Sequence, residues 1–330
     1  MIGQLDKTYL TYSKRSVAHR LVSYFLFEGR PHTTKGQWIN PFVNAFLRTL
    51  ALVPGEPIPD RPIYITGLGR SGTTILGKVL SLHEQVGFLN EPKMMWAIAD
   101  PKTDVCGDYV QQGGRFLLSG SDVPEGAPSK VQRILARYAS LTGVERPLDK
   151  YPEFIFRVDY LKQVLPNAKV VFISRNGCDA VASVAHWSQD KGVNVGERTD
   201  DWWGRGDVKW TYLCEQIISQ QPEYAAVANV DLKTMDHTNR AALEWIITMR
   251  QGLVAKAQMP DDIYHIKYEE LVKAPKEQMI RLLEACELPM SDDVLTYAKD
   301  VLYDRPRKDK PELMPDISKL FDETMSQLGY

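Results

Sequence analysis

The sequence predicts an α/β fold, a P-loop-type parallel β-sheet flanked by helices on both faces. Three observations predict it. Short apolar, β-rich runs recur at Ile63–Thr66, Val170–Ser174 and Ile263–Lys267. Each is followed by a segment whose apolar residues have helical spacing, the alternation expected of parallel strands joined by crossover helices. A glycine-rich turn, Gly67-Leu-Gly-Arg-Ser-Gly72, joins the first run to its helix, as at the start of a βαβ unit.

Composition bounds what such a fold does. The chain has 330 residues, room for roughly two domains or one elaborated one at about 150 residues each. It is 44% hydrophobic and 25% charged, which rules out disorder as the dominant state. Lys plus Arg is 40 and Asp plus Glu is 42, a net charge of −2. A generally basic protein that coats nucleic acid or an anionic surface is excluded; a local basic pocket is not. Cys106, Cys178, Cys214 and Cys286 stand far apart, with no CxxC pair and no zinc-spaced histidine. This predicts a reducing compartment and no metal site. No run approaches the ~18–20 apolar residues of a membrane span. The early run Leu21–Phe27 is broken by Ser23 and carries no cleavage pattern. A cytoplasmic protein is expected.

The elements follow in order. Residues 1–60 hold apolar stretches at 21–27 and 42–53 and are expected to form an N-terminal helical extension. The second stretch suits a packing helix or a membrane-surface helix, so peripheral membrane contact by residues 1–60 stays open. The proline-rich segment Val53–Pro62 suits an extended lead into a strand. Residues 61–330 are expected to form a single domain. Ile75, Leu76, Val79 and Leu80 give the first crossover helix one apolar face. A helical run at 158–165, the turn Pro166–Lys169, the strand Val170–Ser174 and a helix through Trp187 form a second cassette. The third strand leads to Glu269-Glu-Leu271 and to Pro275, which suits the first position of a helix carrying Met279, Leu282, Leu283 and Cys286.

Gly67-x-x-x-x-Gly72-Thr73-Thr74 has the frame of a P-loop between strand and helix. The backbone N–H groups of such a loop bind phosphate. A kinase or ATPase needs Lys where Thr73 stands and a strand-end Asp for Mg²⁺, whereas the second strand ends in Ser174-Arg175. The loop is therefore expected to hold phosphate with no metal requirement, with Arg70 as a cation in another position. A tight turn with no ligand is the plainer alternative.

Tyr64-Ile-Thr-Gly-Leu-Gly-Arg-Ser-Gly-Thr-Thr74 resembles the 5′-phosphosulfate loop of sulfotransferases that use 3′-phosphoadenosine-5′-phosphosulfate (PAPS). Its Arg-Ser-Gly-Thr-Thr form is similar to the bacterial and tyrosylprotein branch; cytosolic phenol and steroid enzymes typically carry Lys first. Val170–Arg175 followed by Ser183 resembles the family's 3′-phosphate element. A fork-shaped guanidinium with a hydroxyl suits that dianion. Ile263–Pro275 resembles the late strand and its Tyr-Glu-Asp/Glu-Leu segment, and Trp202-Trp-Gly204, Trp245 and Leu328-Gly-Tyr330 sit where related enzymes carry them. The resemblance implies the sulfotransferase fold, PAPS as donor, no metal, and a donor site of Gly69, Arg70, Ser71, Gly72, Thr73, Thr74, Arg175 and Ser183.

Sulfuryl transfer needs a base near the acceptor and cations near the leaving oxygen. The resemblance assigns the base to Glu91, in Gly87-Phe-Leu-Asn-Glu-Pro92, and the cations to Arg70 and Lys150, the latter in Leu148-Asp-Lys-Tyr-Pro152. A free carboxylate titrates near about 4.3, so burial is expected to raise Glu91. Alternatively Glu91 caps the next helix or pairs with Lys93, and Lys150 is solvated. His83 and His186 are rival bases. Arg305–Lys310 either closes over the 3′-phosphate or is a solvated charge run. Residues 187–239, with Trp187, Trp202, Trp203, Trp210, Tyr212 and Tyr224, and residues 100–130 are expected as acceptor-side insertions or lids; the aromatics suit pocket walls or ordinary core equally. The acceptor is open among carbohydrate, polyketide, lipid, phenol and peptide, with no nucleic-acid partner. The rival functions are a P-loop nucleotide kinase or NTPase and an inactive nucleotide-binding protein of the same fold.

Overall fold

A computed structural model describes residues 4–54 and 59–330, so residues 55–58 of the proline-rich connector lie outside the described residues. The elements used below are, in chain order, α1 (Lys14–Val22), α2 (Asn40–Leu52), β1 (Ile63–Gly67), α3 (Thr73–Leu80), β2 (Val86–Asn90), α4 (Ala127–Thr142), β3 (Arg146–Lys150), β4 (Lys169–Ser174), α5 (Gly177–Lys191), α6 (His237–Gln258), β5 (Ile263–Lys267), α7 (Pro275–Ala285) and α8 (Pro315–Leu328).

The five strands form one parallel sheet in the order β2-β3-β1-β4-β5. Strand residues alternate between two cores, as the period of two requires. Ile63, Ile65, Val171 and Ile173 face one core with Leu76 and Val79 of α3 and Met279 and Leu282 of α7. Tyr64, Val170 and Phe172 face the other with Ile134 of α4, Val181 of α5 and Trp245 and Met249 of α6. Asn176 caps α5 by accepting from Cys178 N–H, and Asp236 caps α6 through Thr238 and Asn239 N–H. Pro275 occupies the first position of α7.

Sequence patterning misses two of the five strands. β3 reads Arg-Pro-Leu-Asp-Lys, which has no apolar run, and its proline argues against an inner strand. Its polar side chains are buried against fixed partners instead. Arg146 donates to the carbonyls of Arg61 and Cys286, and Asp149 accepts from Trp96 Nε1 at 2.8 Å. β2 lies at the sheet edge, where backbone groups lack a strand partner. The N-terminal segment supplies one. Arg20 donates to Phe88 O at 2.6 Å, and Glu28 accepts from Asn90 N–H at 2.7 Å while pairing with Arg20 at 2.6 Å. The same segment enters both cores, through Tyr9 on one face and Phe27, Val43, Leu47 and Ala51 on the other.

Candidate active site

The chain passes from β1 into a helix going toward β2, and from β4 into one going toward β5. The connections diverge on either side of the β1–β4 pair, and such a divergence opens a crevice at the strands' C-terminal ends. Residues 67–74 follow β1 and Arg175 follows β4 into that crevice. Glu91 and Lys150 stand at the corresponding ends of β2 and β3, tied by Glu91 N–H to Lys150 O at 3.0 Å.

The loop is shaped by its neighbours. Gly72 takes φ +93°, and a Cβ there would run into the Tyr268 ring; one at Gly69 would meet the Trp202 ring. Arg70 also has positive φ (73°), an uncommon conformation outside glycine. Its carbonyl accepts from Arg175 Nη1 at 2.8 Å, and its Nε donates to Ser183 Oγ at 3.2 Å. The two residues expected at a 3′-phosphate thus meet the phosphate loop through Arg70. Partial enclosure, and next the charge of Arg175, lower the Arg70 pKa. Two arginines held this close favour binding an anion, although Asp179 already lies 4.0 Å from Arg175 Nη2. Arg175 Nε and Ser71 Oγ are buried without a hydrogen-bond partner, and the Arg175 guanidinium lies 4.7 Å over the Tyr268 ring. Unpaired donors are costly to bury, so these atoms fit a ligand's oxygens.

A cavity of about 390 Å³ extends from the loop toward β2 and β3, lined by Gly67, Gly69, Arg70, Thr73, Thr74, Glu91 and Lys150 among others. Ser71, Gly72, Arg175 and Ser183, also expected at the donor, do not line this cavity. Lys150 is 3% exposed, not solvated, and its Nζ pairs with Glu91 Oε1. Glu91 Oε2 also pairs with Lys93 Nζ at 3.3 Å. Burial raises the Glu91 pKa, but Lys150 and then Lys93 outweigh it and hold the carboxyl at about 2. The expected upward shift is therefore reversed: burial brought two cations with it. Glu91 has φ +55° directly before Pro92, a strained backbone at the point where its side chain turns into the cavity.

The histidine rivals lie elsewhere. His83 is bonded on both ring nitrogens, to Pro289 O and Gln85 N–H, and His186 is an exposed partner of Asp190. Neither lines the cavity. His32 does, and sequence reasoning missed it because residues 1–60 match no motif. Its Nδ1 lies 2.5 Å from Asp108 Oδ1, while Nε2 is buried without a partner. Also missed is a run of alternating charges behind Glu91. Lys93 pairs with Glu153 at 3.3 Å, and Lys209 lies 4.0 Å from Glu153 and 2.5 Å from Glu244. Glu244 accepts from Trp202 Nε1, returning the network to the ring that packs on Gly69. The pair Glu91/Lys93, two residues apart, was its only local signal. The aromatic segment divides: Trp187 and Trp202 line the cavity, while Trp203, Trp210 and Tyr224 are core. Arg307 lies 3.1 Å from Asp179 and 3.4 Å from Glu269, and Lys310 pairs with Asp322.

A family model described as "Sulfotransferase family" matches residues 62–226 and 213–292. The chain belongs to the sulfotransferase family. An uncharacterized protein of Aquifex aeolicus is 28% identical over 251 residues, covering 74% of this chain and 28% of that protein. Protein-tyrosine sulfotransferase A of Caenorhabditis elegans is 23% identical over 238 residues, covering 71% of this chain and 51% of that one. The matches thus span between about a quarter and about half of these curated relatives. A sulfotransferase domain from the curacin biosynthetic pathway is similar at a TM-score of 0.49 and 14% identity, over 82% of this chain and 98% of that one. Among the described residues of this sulfotransferase-family chain, no helix is long and apolar enough to cross a membrane.

Proposed function

We propose that this protein transfers a sulfuryl group from PAPS to a hydroxyl or amine of an acceptor, leaving 3′,5′-ADP. The observation that carries the proposal is the meeting of two cationic positions at one strand-end crevice, with a paired carboxylate beside them. Bound PAPS supplies a sulfuryl group on a 5′-phosphate leaving group. Residues 67–74 hold the 5′-phosphate through backbone N–H groups and the start of α3, which leaves its first N–H groups without intrahelical partners. Arg175 and Ser183 hold the 3′-phosphate, Arg70 giving up its bond to Ser183 for the anion. Lys150 is the cation for the leaving oxygen. In the free site it is committed to Glu91, so an anion that draws Lys150 away loosens the stronger of the carboxylate's two ion pairs and leaves that with Lys93. Glu91 then takes the acceptor's proton. Family membership and the Thr at position 73 favour this reading over a nucleotide kinase.

The experiment compares thermal stabilisation by 3′,5′-ADP, by 5′-AMP and by ATP with Mg²⁺. A ligand that binds only the folded state stabilises it as RT ln(1 + [L]/Kd). The expected result is a clear shift with 3′,5′-ADP that exceeds the other two. In Arg175→Ala the 3′,5′-ADP shift falls to that of 5′-AMP. Equal loss for both nucleotides would remove Arg175 from the 3′-phosphate; preference for ATP with Mg²⁺ would overturn the donor.

A further inference from the structure

The outer face of α2, together with the turn Gln37–Ile39 that leads into it, is apolar and uncovered. Trp38 is 76% exposed, Phe42 69% and Leu52 76%. Ala45 and Thr49 are exposed between them, so positions 38, 42, 45, 49 and 52 form one uncharged stripe at helical spacing. The opposite face, Val43, Leu47 and Ala51, already fills the core. A helix that only packed inward would carry polar residues outside. Phe25 and Leu26, on a turn that packs against α2, are also exposed, at 44% and 40%. A contiguous apolar surface of this kind marks an interaction site.

The charge around it decides the partner. From Gly29 to Pro54 there is no Asp or Glu, while Lys35 and Arg48 are exposed. The neighbouring α4 carries Lys130, Arg133 and Arg137 and no acidic residue. Arg133 donates to Ala51 O at 3.1 Å and Arg137 to Pro54 O at 3.2 Å, which sets both guanidinium groups at the end of α2, beside Leu52. Among the described residues, Lys35, Arg48, Lys130 and Arg133 stand on α2, on α4 or just before α2, and neither helix carries an Asp or Glu. We propose that this face docks the protein on an anionic lipid bilayer, with α2 in the plane of the surface. Trp38, Phe42 and Leu52 enter the headgroup–acyl boundary and the basic border meets lipid phosphates. Pro31–Thr34, which line the cavity, run directly into the stripe at residues 37–39. Docking therefore brings one wall of the cavity to the membrane. Delivery of a membrane-borne acceptor rests on the sulfuryl-transfer reading; the docking itself does not.

The test is cosedimentation of the full chain with vesicles of phosphatidylcholine alone and with vesicles about one quarter phosphatidylglycerol, in about 0.1 M salt. The expected result is binding at least about tenfold tighter to the anionic vesicles. The triple variant Trp38→Ala, Phe42→Ala, Leu52→Ala loses it, and Lys35→Glu with Arg48→Glu weakens it. All five positions are exposed, so melting temperature and 3′,5′-ADP binding stay at wild-type values; this separates a failure of docking from a failure of the donor assignment. The proposal is overturned if the wild type ignores anionic vesicles or if the triple variant binds them as well. It is also overturned if sedimentation equilibrium shows a dimer that the triple variant dissolves, since the face then belongs to a second copy.

Discussion

Glu91 is a carboxylate whose acidity is set by what it pairs with. Lys150 and Lys93 keep it ionised down to about pH 2 in the free protein despite burial. At neutral pH it is ready to accept a proton but a poor base until Lys150 leaves. Glu91→Gln is therefore expected to lower transfer from radiolabelled PAPS to acceptors in an extract of the source organism by about 100-fold or more. Binding of 3′,5′-ADP should change little. Turnover that survives the substitution would move the base to His32, the histidine that lines the same cavity. Asp149, one residue from Lys150, shows the opposite balance. Burial pushes its pKa to about 8 against the opposing bond from Trp96, with the charge of Glu91 adding to the rise. The folded state thus keeps a proton that the unfolded chain loses near about pH 3.9. The stability this lends is complete below about pH 4 and is lost as pH rises through about 8. Asp149→Asn removes the effect, so the melting temperature of the variant relative to wild type should climb between pH 4.5 and 8.5, in roughly that window. A difference that stays flat with pH would show Asp149 to be ionised in the fold. Sequence spacing located Glu91 and Lys150 but not their mutual pairing, because the contact joins residues 59 positions apart at the ends of two strands that patterning did not reveal.

At the scale of elements, legibility follows burial chemistry. β1, β4 and β5 are apolar runs and were readable; β3 was not, because its buried face is satisfied by specific polar partners, a relation no periodicity encodes. β2 was hidden for a related reason. It is an edge strand whose outer side is completed by two side chains, Arg20 and Glu28, from a segment with no recognisable motif. That brace bears on the chemistry, since β2 ends one residue before Glu91. Glu28→Ala removes a carboxylate partner of the buried Arg20 and leaves Asn90 N–H without its Glu28 bond, a loss on the order of 3 kcal/mol. A fall in melting temperature of about 5 °C or more is expected. Turnover should fall more than 3′,5′-ADP affinity, because the loop after β1 does not depend on β2, and Glu28→Gln should recover part of both losses. Wild-type stability and turnover in Glu28→Ala would show that the edge holds itself.

The whole molecule resolves the near-neutral charge into two places, a strand-end crevice where acidic and basic side chains pair and a group of basic residues on and beside α2. Net charge reports neither, since each is a matter of which residues the fold gathers. The N-terminal residues link the two. They line the cavity, brace β2, present the apolar stripe, and insert Tyr9, Phe27, Val43 and Leu47 into the cores at 2% exposure or less. Burying a large apolar side chain contributes about 1.5–3 kcal/mol. Four of them give about 6–12 kcal/mol as an upper bound. That rivals the whole stability of a typical domain, about 5–15 kcal/mol. We therefore propose that residues 4–54 belong to the catalytic domain rather than being appended to it. A chain beginning at Pro59 would expose the floor of both cores and free the edge of β2. The expected outcome is loss of the cooperative thermal transition by circular dichroism and loss of 3′,5′-ADP binding together. A truncated chain that melts cooperatively within a few degrees of the full one and still binds the nucleotide would make the segment an independent attachment, and the brace on β2 would then be dispensable to the fold.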